Sequence, residues 1–372
     1  MSNRKANNSN HWPNDTVCAP GFRAAQARGP AAEPDTLLAL PVAPERAADD
    51  PAQHPHRTNG ALGPAGPAAR PVESLNGRVT VGTVTTQRIG FIGQGWIGRN
   101  YADCFETRGY DVVRYSLEEP YVGNRQSILG CRIVFIAVPT PTRPTGFDDS
   151  LVVSALENVR SGSTAVVKST ILPGTTERLQ DLFPDILVMH SPEFLAEKTA
   201  AFDAANPSRN IVGIPKDNPE YRTRAAEVLS LLPRAPFELI CAAREAELIK
   251  YGANAFLYLK VVYANILHDL ARCLDCDYTR VSAMVAADKR IGPSHLKIAD
   301  DGGRGAGGHC FIKDFEAFIG LYEKAANDPE GLLALESWRD KNLQLLRDSG
   351  KNIDLLREVY GVRAGRLTRP ES

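Results

Sequence analysis

The sequence predicts an α/β fold: a Rossmann-type, doubly wound parallel sheet followed by a mainly helical domain built around one long helix. From Arg88 onward, short continuously apolar runs alternate with longer amphipathic ones, as expected of strands covered on both faces by crossover helices. A glycine-rich turn, Gly93-Gln94-Gly95-Trp96-Ile97-Gly98, follows the first of these runs directly. After Pro219 the strand signal fades except at Phe237–Cys241, and a helical pattern runs from about Ala243 to Leu274.

In chain order, residues 1–86 hold 11 of the 26 prolines, many alanines and no sustained apolar periodicity. Such a stretch cannot bury enough apolar surface to offset its ordering entropy, and disorder is expected there. The strand-like runs that follow are Ile89–Ile92, Val112–Tyr115, Ile133–Val138, Ala165–Lys168, Ile186–Met189 and Asn210–Ile214. Ile97–Arg108, Leu151–Val159 and Thr176–Leu182 read as helices between them. Beyond the long helix, further helices are expected near Val281–Ala287, Lys313–Ala326 and Leu332–Leu346. The boundaries are a Pro/Ala-rich extension (1–86), a dinucleotide-binding domain (87–237), a helical central domain (238–327) and a C-terminal helical segment with a basic tail (328–372).

The formal net charge is −1 and 23% of residues are charged, with no block of like charges and no basic face interleaved with aromatics. That composition argues against a nucleic-acid partner. No apolar run reaches the roughly 18 residues of a membrane span, and the N-terminal residues lack the apolar core of a secretory signal. The expectation is a cytoplasmic protein without a membrane partner. Seven cysteines, mostly inside apolar runs, suit free thiols better than a disulfide framework, with Cys273 and Cys276 in structural roles.

In the glycine turn, Gly93 permits the sharp bend, Gly95 lets a pyrophosphate approach the backbone, and Gly98 lets helix and strand pack closely. The N–H groups of the helix opened by Trp96 and Ile97 then face the phosphates. The acidic residue that would grip the ribose hydroxyls of NAD is replaced by Ser116, and Arg114 stands close by. NAD is the expected cofactor, with NADP not excluded.

Three polar clusters fall at C-terminal strand ends, the edge where open α/β sheets bind ligands. They are Val138–Thr142 with Pro139, Thr140 and Thr142, Lys168–Thr176 with Ser169 and Thr170, and Ser191–Leu195 with Glu193 and Phe194. In the second half, Gly302-Gly303-Arg304-Gly305-Ala306-Gly307-Gly308-His309-Cys310 leads into a helix carrying Lys313 and Asp314. Cys310 near that helix start is expected to have its thiolate favoured by the dipole and by Lys313, which makes a nucleophile of it. On the long helix Glu247, Lys250, Tyr251 and Asn254 recur at spacings of three and four, so Lys250 and Asn254 share a face able to bind a developing oxyanion. His190 and His309 lack partners at ligand spacing, and no metal is expected.

These motifs together, Gly93/Gly95/Gly98, Val138–Thr142, Lys168–Gly174, Ser191–Leu195, Lys250–Phe256, Lys289–Gly292 and Gly307–Asp314, resemble the UDP-glucose/GDP-mannose dehydrogenase family in content and order over about residues 88–326. The helix motif Ile249–Leu257 is most similar to that of its bacterial UDP-glucose 6-dehydrogenase branch. The resemblance implies a four-electron oxidation of a sugar C6 alcohol to a carboxylate, with two NAD, through a thiohemiacetal and a thioester on Cys310. It implies an oxygen-holding Lys250, a donor in Asn254, an orienting Asp314, a water placed by Thr170 and a base in Glu193. Gly93, Gly95, Trp96, Ile97, Gly98, Ser116, Pro139, Thr140, Thr142, Ser169, Thr170 and Lys313 would hold the cofactor. Glu193, Phe194, Leu195, Lys250, Asn254, Arg290, Lys297 and Gly307 would hold the nucleotide sugar, with Arg290 reaching a neighbouring subunit's substrate in a homodimer or higher homo-oligomer. The chain departs from the family pattern in ending before a third, UDP-binding domain, in Ser116, in the inserted-looking Asp300–Arg304 and in His309. Its product would feed polysaccharide synthesis. The alternatives are a catalytically impaired NAD-binding regulatory or assembly protein, a UDP-N-acetyl-sugar or GDP-mannose dehydrogenase, and a hydroxyacid-type dehydrogenase without a cysteine nucleophile.

Overall fold

The apolar runs become strands and the amphipathic ones become helices largely where their periodicity changes. A computed structural model describes residues 87–143, 146–300 and 302–361; the expectations for residues 1–86 including Cys18, for Asp301 and for the basic tail lie outside them. The first half runs β1 (Arg88–Ile92), α1 (Trp96–Thr107), β2 (Asp111–Tyr115), α2 (Arg125–Ile128), β3 (Ile133–Ile136), β4 (Thr142–Arg143), β5 (Gly146–Phe147), α3 (Ser150–Leu156), β6 (Thr164–Val167), α4 (Thr175–Leu182), β7 (Leu187–His190), α5 (Ala200–Ala205), β8 (Arg209–Ile214), α6 (Pro219–Leu231) and β9 (Phe237–Ala242). The second half comprises α7 (Ala243–Cys273), α8 (Tyr278–Ala286), β10 (Ala299–Asp300), β11 (Gly303–Arg304), α9 (Gly308–Ala325), α10 (Pro329–Ser349) and α11 (Ile353–Tyr360).

The seven-stranded sheet has the order β2-β1-β3-β6-β7-β8-β9. Alternate residues of the strands feed two cores, one on each face. Ile89, Phe91 and Phe135 pack with Phe105 of α1 and Tyr221, Ala225 and Val228 of α6 on one side. Ile92, Val134, Ile136 and Val167 pack with Val152 and Leu156 of α3 and Leu179 of α4 on the other. The Phe91 and Phe135 rings stack at 5.1 Å, fixing β1 against β3. The strand order reverses between β1 and β3, and that switch point is where such sheets open a ligand crevice.

Two features depart from the expected sheet. β8 runs antiparallel to β7, pairing His190 with Gly213, while β9 runs parallel to β8. Apolar continuity reports burial on both faces and carries no strand direction, so the sequence pattern could not distinguish this edge. Among the described residues β2 is the other edge; the classic six-strand order would place a further strand outside it. The link from β2 to β3 holds only one turn of 3₁₀ helix and the four-residue α2.

Helix α6 was not expected, although its start carries a clear signal. Asn218 accepts from Tyr221 N at 2.9 Å as N-cap, and Pro219 occupies the first turn. The second half is built on α7. Tyr258 of α7 stacks on Phe315 of α9 with centroids 3.9 Å apart, and Val262, Ile319 and Leu345 complete that core. A neighbouring cluster of Ile312, Leu343, Leu346, Leu356 and Val359 docks α10 and α11 on α9. Cys104, Cys131, Cys241, Cys276 and Cys310 are free, whereas Cys273 is disulfide-bonded, which corrects the expectation of thiols at that position.

Candidate active site

The glycine turn forms the cofactor end of the site. Gly93 has φ of 90°, and its N–H donates to Tyr115 O at 2.9 Å. A Cβ at Gly93 would fall within 3.0 Å of Ala137 O, and one at Gly98 would collide with Gly93 O. At Gly95 a Cβ would meet nothing within 4 Å, and no side chain caps the N-terminus of α1 there. An open cradle over an uncapped helix start, at the switch point, fits a pyrophosphate. Trp96 and Ile97 form the first turn and are half-buried.

At the end of β2, Ser116 Oγ donates to Glu118 O at 2.9 Å. Arg114 does not reach toward a ligand as expected. Its guanidinium donates to Glu106 at 2.9 and 2.7 Å and to Asp103 at 2.6 Å, so two α1 carboxylates already neutralise it. That removes the attraction for a 2′-phosphate on which an NADP reading rested. A cavity of about 570 Å³ flanks this edge, lined by Arg88, Asp103, Glu106, Arg114, Tyr121 and Asn124 among others, away from Cys310.

The loops after β3 and β6 are tied together by their hydroxyls. Ser169 Oγ donates to Val138 O at 2.7 Å and accepts Val138 N at 2.9 Å, and Thr140 Oγ1 donates to Thr170 O at 2.7 Å. Thr142 Oγ1 is buried without a protein partner, and Pro139 is exposed at the loop's crest. Glu247 of α7 fastens the β6 loop from behind. Its carboxylate accepts Gly174 N at 2.6 Å, Thr176 N at 2.7 Å and Thr176 Oγ1 at 2.6 Å, while burial pushes its pKa up to about 7.

The loop after β7 meets α7 through a buried ion pair. Lys250 Nζ donates to Glu193 Oε1 at 2.6 Å and to Glu193 O at 2.9 Å, while Leu195 N donates to Oε2 at 2.7 Å. Burial opposes the ammonium form, but Glu193 and then Asp314 outweigh it and hold the Lys250 pKa above its ordinary value. The direct partner of Lys250 is thus Glu193, while Asp314 acts on the ammonium only through its charge. Phe194 lies half-buried under Arg209, whose guanidinium sits 3.7 Å from the ring centroid.

One turn from the Tyr258–Phe315 stack, Asn254 Nδ2 donates to Asp314 Oδ2 at 2.6 Å, and Lys313 Nζ donates to Asp314 Oδ1 at 2.8 Å. Cys310, one turn earlier on α9, is exposed. The protein bulk around its sulfur, then Asp314 and Glu193, raise its thiol pKa against the opposing pull of Lys250 and Lys313. The expected dipole- and lysine-favoured thiolate is thus corrected: burial of the sulfur, then the Asp314 carboxylate, outweigh the pull of Lys250 and Lys313 and favour the thiol. Cys310, Lys250, Asn254, Asp314 and Glu193 come together where the loop after β7 meets α7 and the start of α9; Gly307 is the N-cap of α9, and Thr170 lies in the loop after β6, its carbonyl accepting from Thr140. Arg290 and Lys297 stand apart and exposed, Arg290 paired with Asp288 at 2.6 Å. His309 is exposed.

The sequence marks Lys168 only as the first residue of the motif after β6. It is buried beneath the site, donating to Ser191 O and Oγ at 3.1 and 3.2 Å and lying 4.2 Å from the Tyr101 ring centroid. Burial, with Lys250 adding to it, lowers its pKa to about 7 despite Glu193. His190 beside it is buried with neither ring nitrogen partnered by protein, and its pKa falls to about 3. Among the described residues, no three His, Cys, Asp or Glu side chains gather as a metal site requires, and no helix is long and apolar enough to cross a membrane.

Residues 121–230 match the NAD binding domain of the UDP-glucose/GDP-mannose dehydrogenase family, and residues 244–342 match its central domain. The glycine turn lies upstream of the first match. A UDP-glucose 6-dehydrogenase of Haloferax volcanii is 28% identical over 75% of this chain and 74% of its own length. One from Pseudomonas aeruginosa is 34% identical over 59% of this chain and 51% of its own. Against several such relatives the matched stretch spans little more than half their length. The structure of a UDP-glucose dehydrogenase from Pyrobaculum islandicum superposes with a TM-score of 0.61 at 29% identity, covering 77% of this chain and 73% of that one.

Proposed function

The chain belongs to the UDP-glucose/GDP-mannose dehydrogenase family, and from that premise we propose that it oxidises the C6 alcohol of a UDP-sugar, UDP-glucose first, to the carboxylate. The observation that carries this reading is the buried Lys250–Glu193 pair, which joins the β7 loop to α7 beside Cys310 and the Asn254–Asp314 pair. A pure binding module has no physical need for a nucleophile backed by a cation, a carboxamide and two carboxylates.

NAD, when bound, takes up the hydrides; Gly95 and the α1 N-terminus would hold its pyrophosphate. The overall balance is one alcohol, one water and two NAD⁺ giving one carboxylate, two NADH and three protons. Between the two oxidations Cys310 Sγ bonds to the aldehyde carbon, and the carbonyl oxygen gains charge. Lys250 has three N–H donors and uses two on Glu193, which leaves one to aim at that oxygen. Asn254 has a second amide N–H beyond the one on Asp314 and supplies a matching donor. Each Glu193 oxygen retains a lone pair, so with Thr170 it can orient the water that cleaves the thioester. Because the resting thiol is held protonated, the covalent step accelerates as pH rises.

The exposed stripe Ile249, Phe256, Tyr263 and Leu270 on α7 recurs every seventh residue and supports a second copy of the chain as its cover, giving a homodimer or higher homo-oligomer.

The test offers UDP-glucose, UDP-N-acetyl sugars and GDP-mannose with NAD and follows reduced cofactor. The expected result is two NADH per UDP-glucose, with Cys310→Ser retaining NAD binding and forming no acid. A Cys310→Ser variant that makes sugar acid at the normal rate overturns the covalent step.

A further inference from the structure

The glycine loop that delivers Cys310 has almost no side chains of its own, and the residues that shape it come from α10 and the turn after it. Asn342 of α10 accepts Ala306 N at 2.7 Å and donates to Ala306 O at 2.9 Å. Ser349 Oγ accepts Arg304 N at 2.9 Å, and Lys351 Nζ donates to Gly305 O at 3.3 Å. Asn352 Oδ1 accepts Gly308 N at 3.0 Å. That last N–H opens α9, whose own N-cap is Gly307 and brings no side chain to the task.

The sequence arranges this reach with some care. Gly350 ends α10 at φ of 71°, with Gly350 N donating to Arg347 O at 3.0 Å and Lys351 N to Leu346 O at 2.9 Å, the pair of bonds of a Schellman turn. The chain is thereby folded back over the loop. Asn352 then adopts φ of 56° and ψ of 30°, a conformation that Asn tolerates better than most residues, while its side chain crosses to the other helix. Gly307 is glycine because a Cβ there would fall onto Asn352 Oδ1 and Lys351 Cε.

We infer that Asn352 is a positioning residue for Cys310: it serves as the missing N-cap of α9, and the α10–α11 turn is a clasp that holds the Cys310 helix start in its reactive arrangement. The inference rests on the reading of Cys310 as nucleophile. Cys310 lies in the first turn of α9, where ordered N–H groups favour its thiolate, and a frayed first turn forfeits that help. The dipole at a helix start is worth about 0.3 to 1 kcal/mol, a factor of roughly two to five in thiolate population.

The test measures alkylation of Cys310 by iodoacetamide across neutral and alkaline pH, by peptide mass spectrometry, with exposed Cys276 as internal reference and thermal unfolding in parallel. Asn352→Gly keeps the left-handed backbone and removes the acceptor; alkylation of Cys310 at neutral pH is expected to fall two- to fivefold, its pH midpoint moving up while Cys276 is unchanged. Asn352→Asp keeps the cap and adds a negative charge, so Tm holds while the midpoint again moves up. A Cys310 pH curve superimposable on wild type in Asn352→Gly overturns the inference, whatever Tm does, because a merely structural role lowers Tm without moving the midpoint. Should Asn352→Gly fail to fold, Asn352→Ala, which also removes the acceptor from Gly308 N, takes its place, and an unmoved midpoint there overturns the inference equally. Failure of the nucleophile reading shows separately, as acid formation by Cys310→Ser.

Discussion

Two glycine-rich segments of this chain lead into helices, and they use their glycines for different reasons. In the turn after β1, Gly93 and Gly98 are excluded from carrying a side chain by backbone of the same β1–α1–β3 unit, namely Ala137 O and Gly93 O. In the loop before α9, Gly303, Gly305 and Gly307 are excluded by side chains from far along the chain: Lys351 and Ser349, Asn342, and Asn352. The first segment is closed by main chain alone, Gly98 by its own turn and Gly93 by the strand end paired beside β1. The second takes its shape from α10 and the turn after it, so its geometry depends on tertiary packing being complete.

The sharpest way to break that contrast is Gly98→Ala. In an ordinary helix the change would gain about 1 kcal/mol from propensity. Here the new Cβ meets a backbone oxygen that cannot rotate away, and the overpacking cost of about 3 kcal/mol outweighs the gain. Denaturant unfolding is expected to show a net loss of about 2 kcal/mol with NAD binding lost as well. A neutral variant would mean the turn has slack and is no more rigid than the second loop.

Asn342→Ala probes the other segment. It leaves the buried Ala306 N–H and C=O unpaired together, at a cost of about 2 kcal/mol. NAD affinity, read by titration, is expected to stay at the wild-type value, because nothing in the β1 turn touches Asn342. Coupled loss of NAD binding would show that the two segments are one cooperative unit.

The same contrast explains what the sequence made legible. The β1 turn, the strand ends and the long helix could be read directly, because their causes are local: turn glycines, apolar runs and a 3.6-residue period. The family resemblance implied one site for Cys310, Lys250, Asn254, Asp314 and Glu193, but it did not imply how their side chains pair. Lys250 joins Glu193 rather than Asp314, and Arg114 turns to Asp103 and Glu106, because side-chain pairing is decided by distances that spacing along the chain does not encode. The antiparallel β8 was illegible for a related reason, since burial on both faces looks alike in either direction. Asn352 gave no signal at all: its role is visible only once α10 has turned the chain back over Gly307.

Gly95→Ala is expected to have the smallest effect on the fold and the most selective one on binding. Its backbone is extended, with φ of −67° and ψ of −168°, so alanine suffers no strain. A Cβ meets nothing within 4 Å, and only the weaker N-cap preference of alanine costs stability, under about 1 kcal/mol. The open space is useful only if something fills it. A pyrophosphate seated on the α1 N-terminus would collide with the methyl group, and NAD affinity should fall at least about tenfold, equivalent to about 1.4 kcal/mol, with unfolding nearly unchanged. Gly98 and Gly95 then separate cleanly, one glycine kept for the fold and the other for the ligand. Unchanged NAD binding in Gly95→Ala would take the cofactor away from this turn, even though the turn has the shape to hold it.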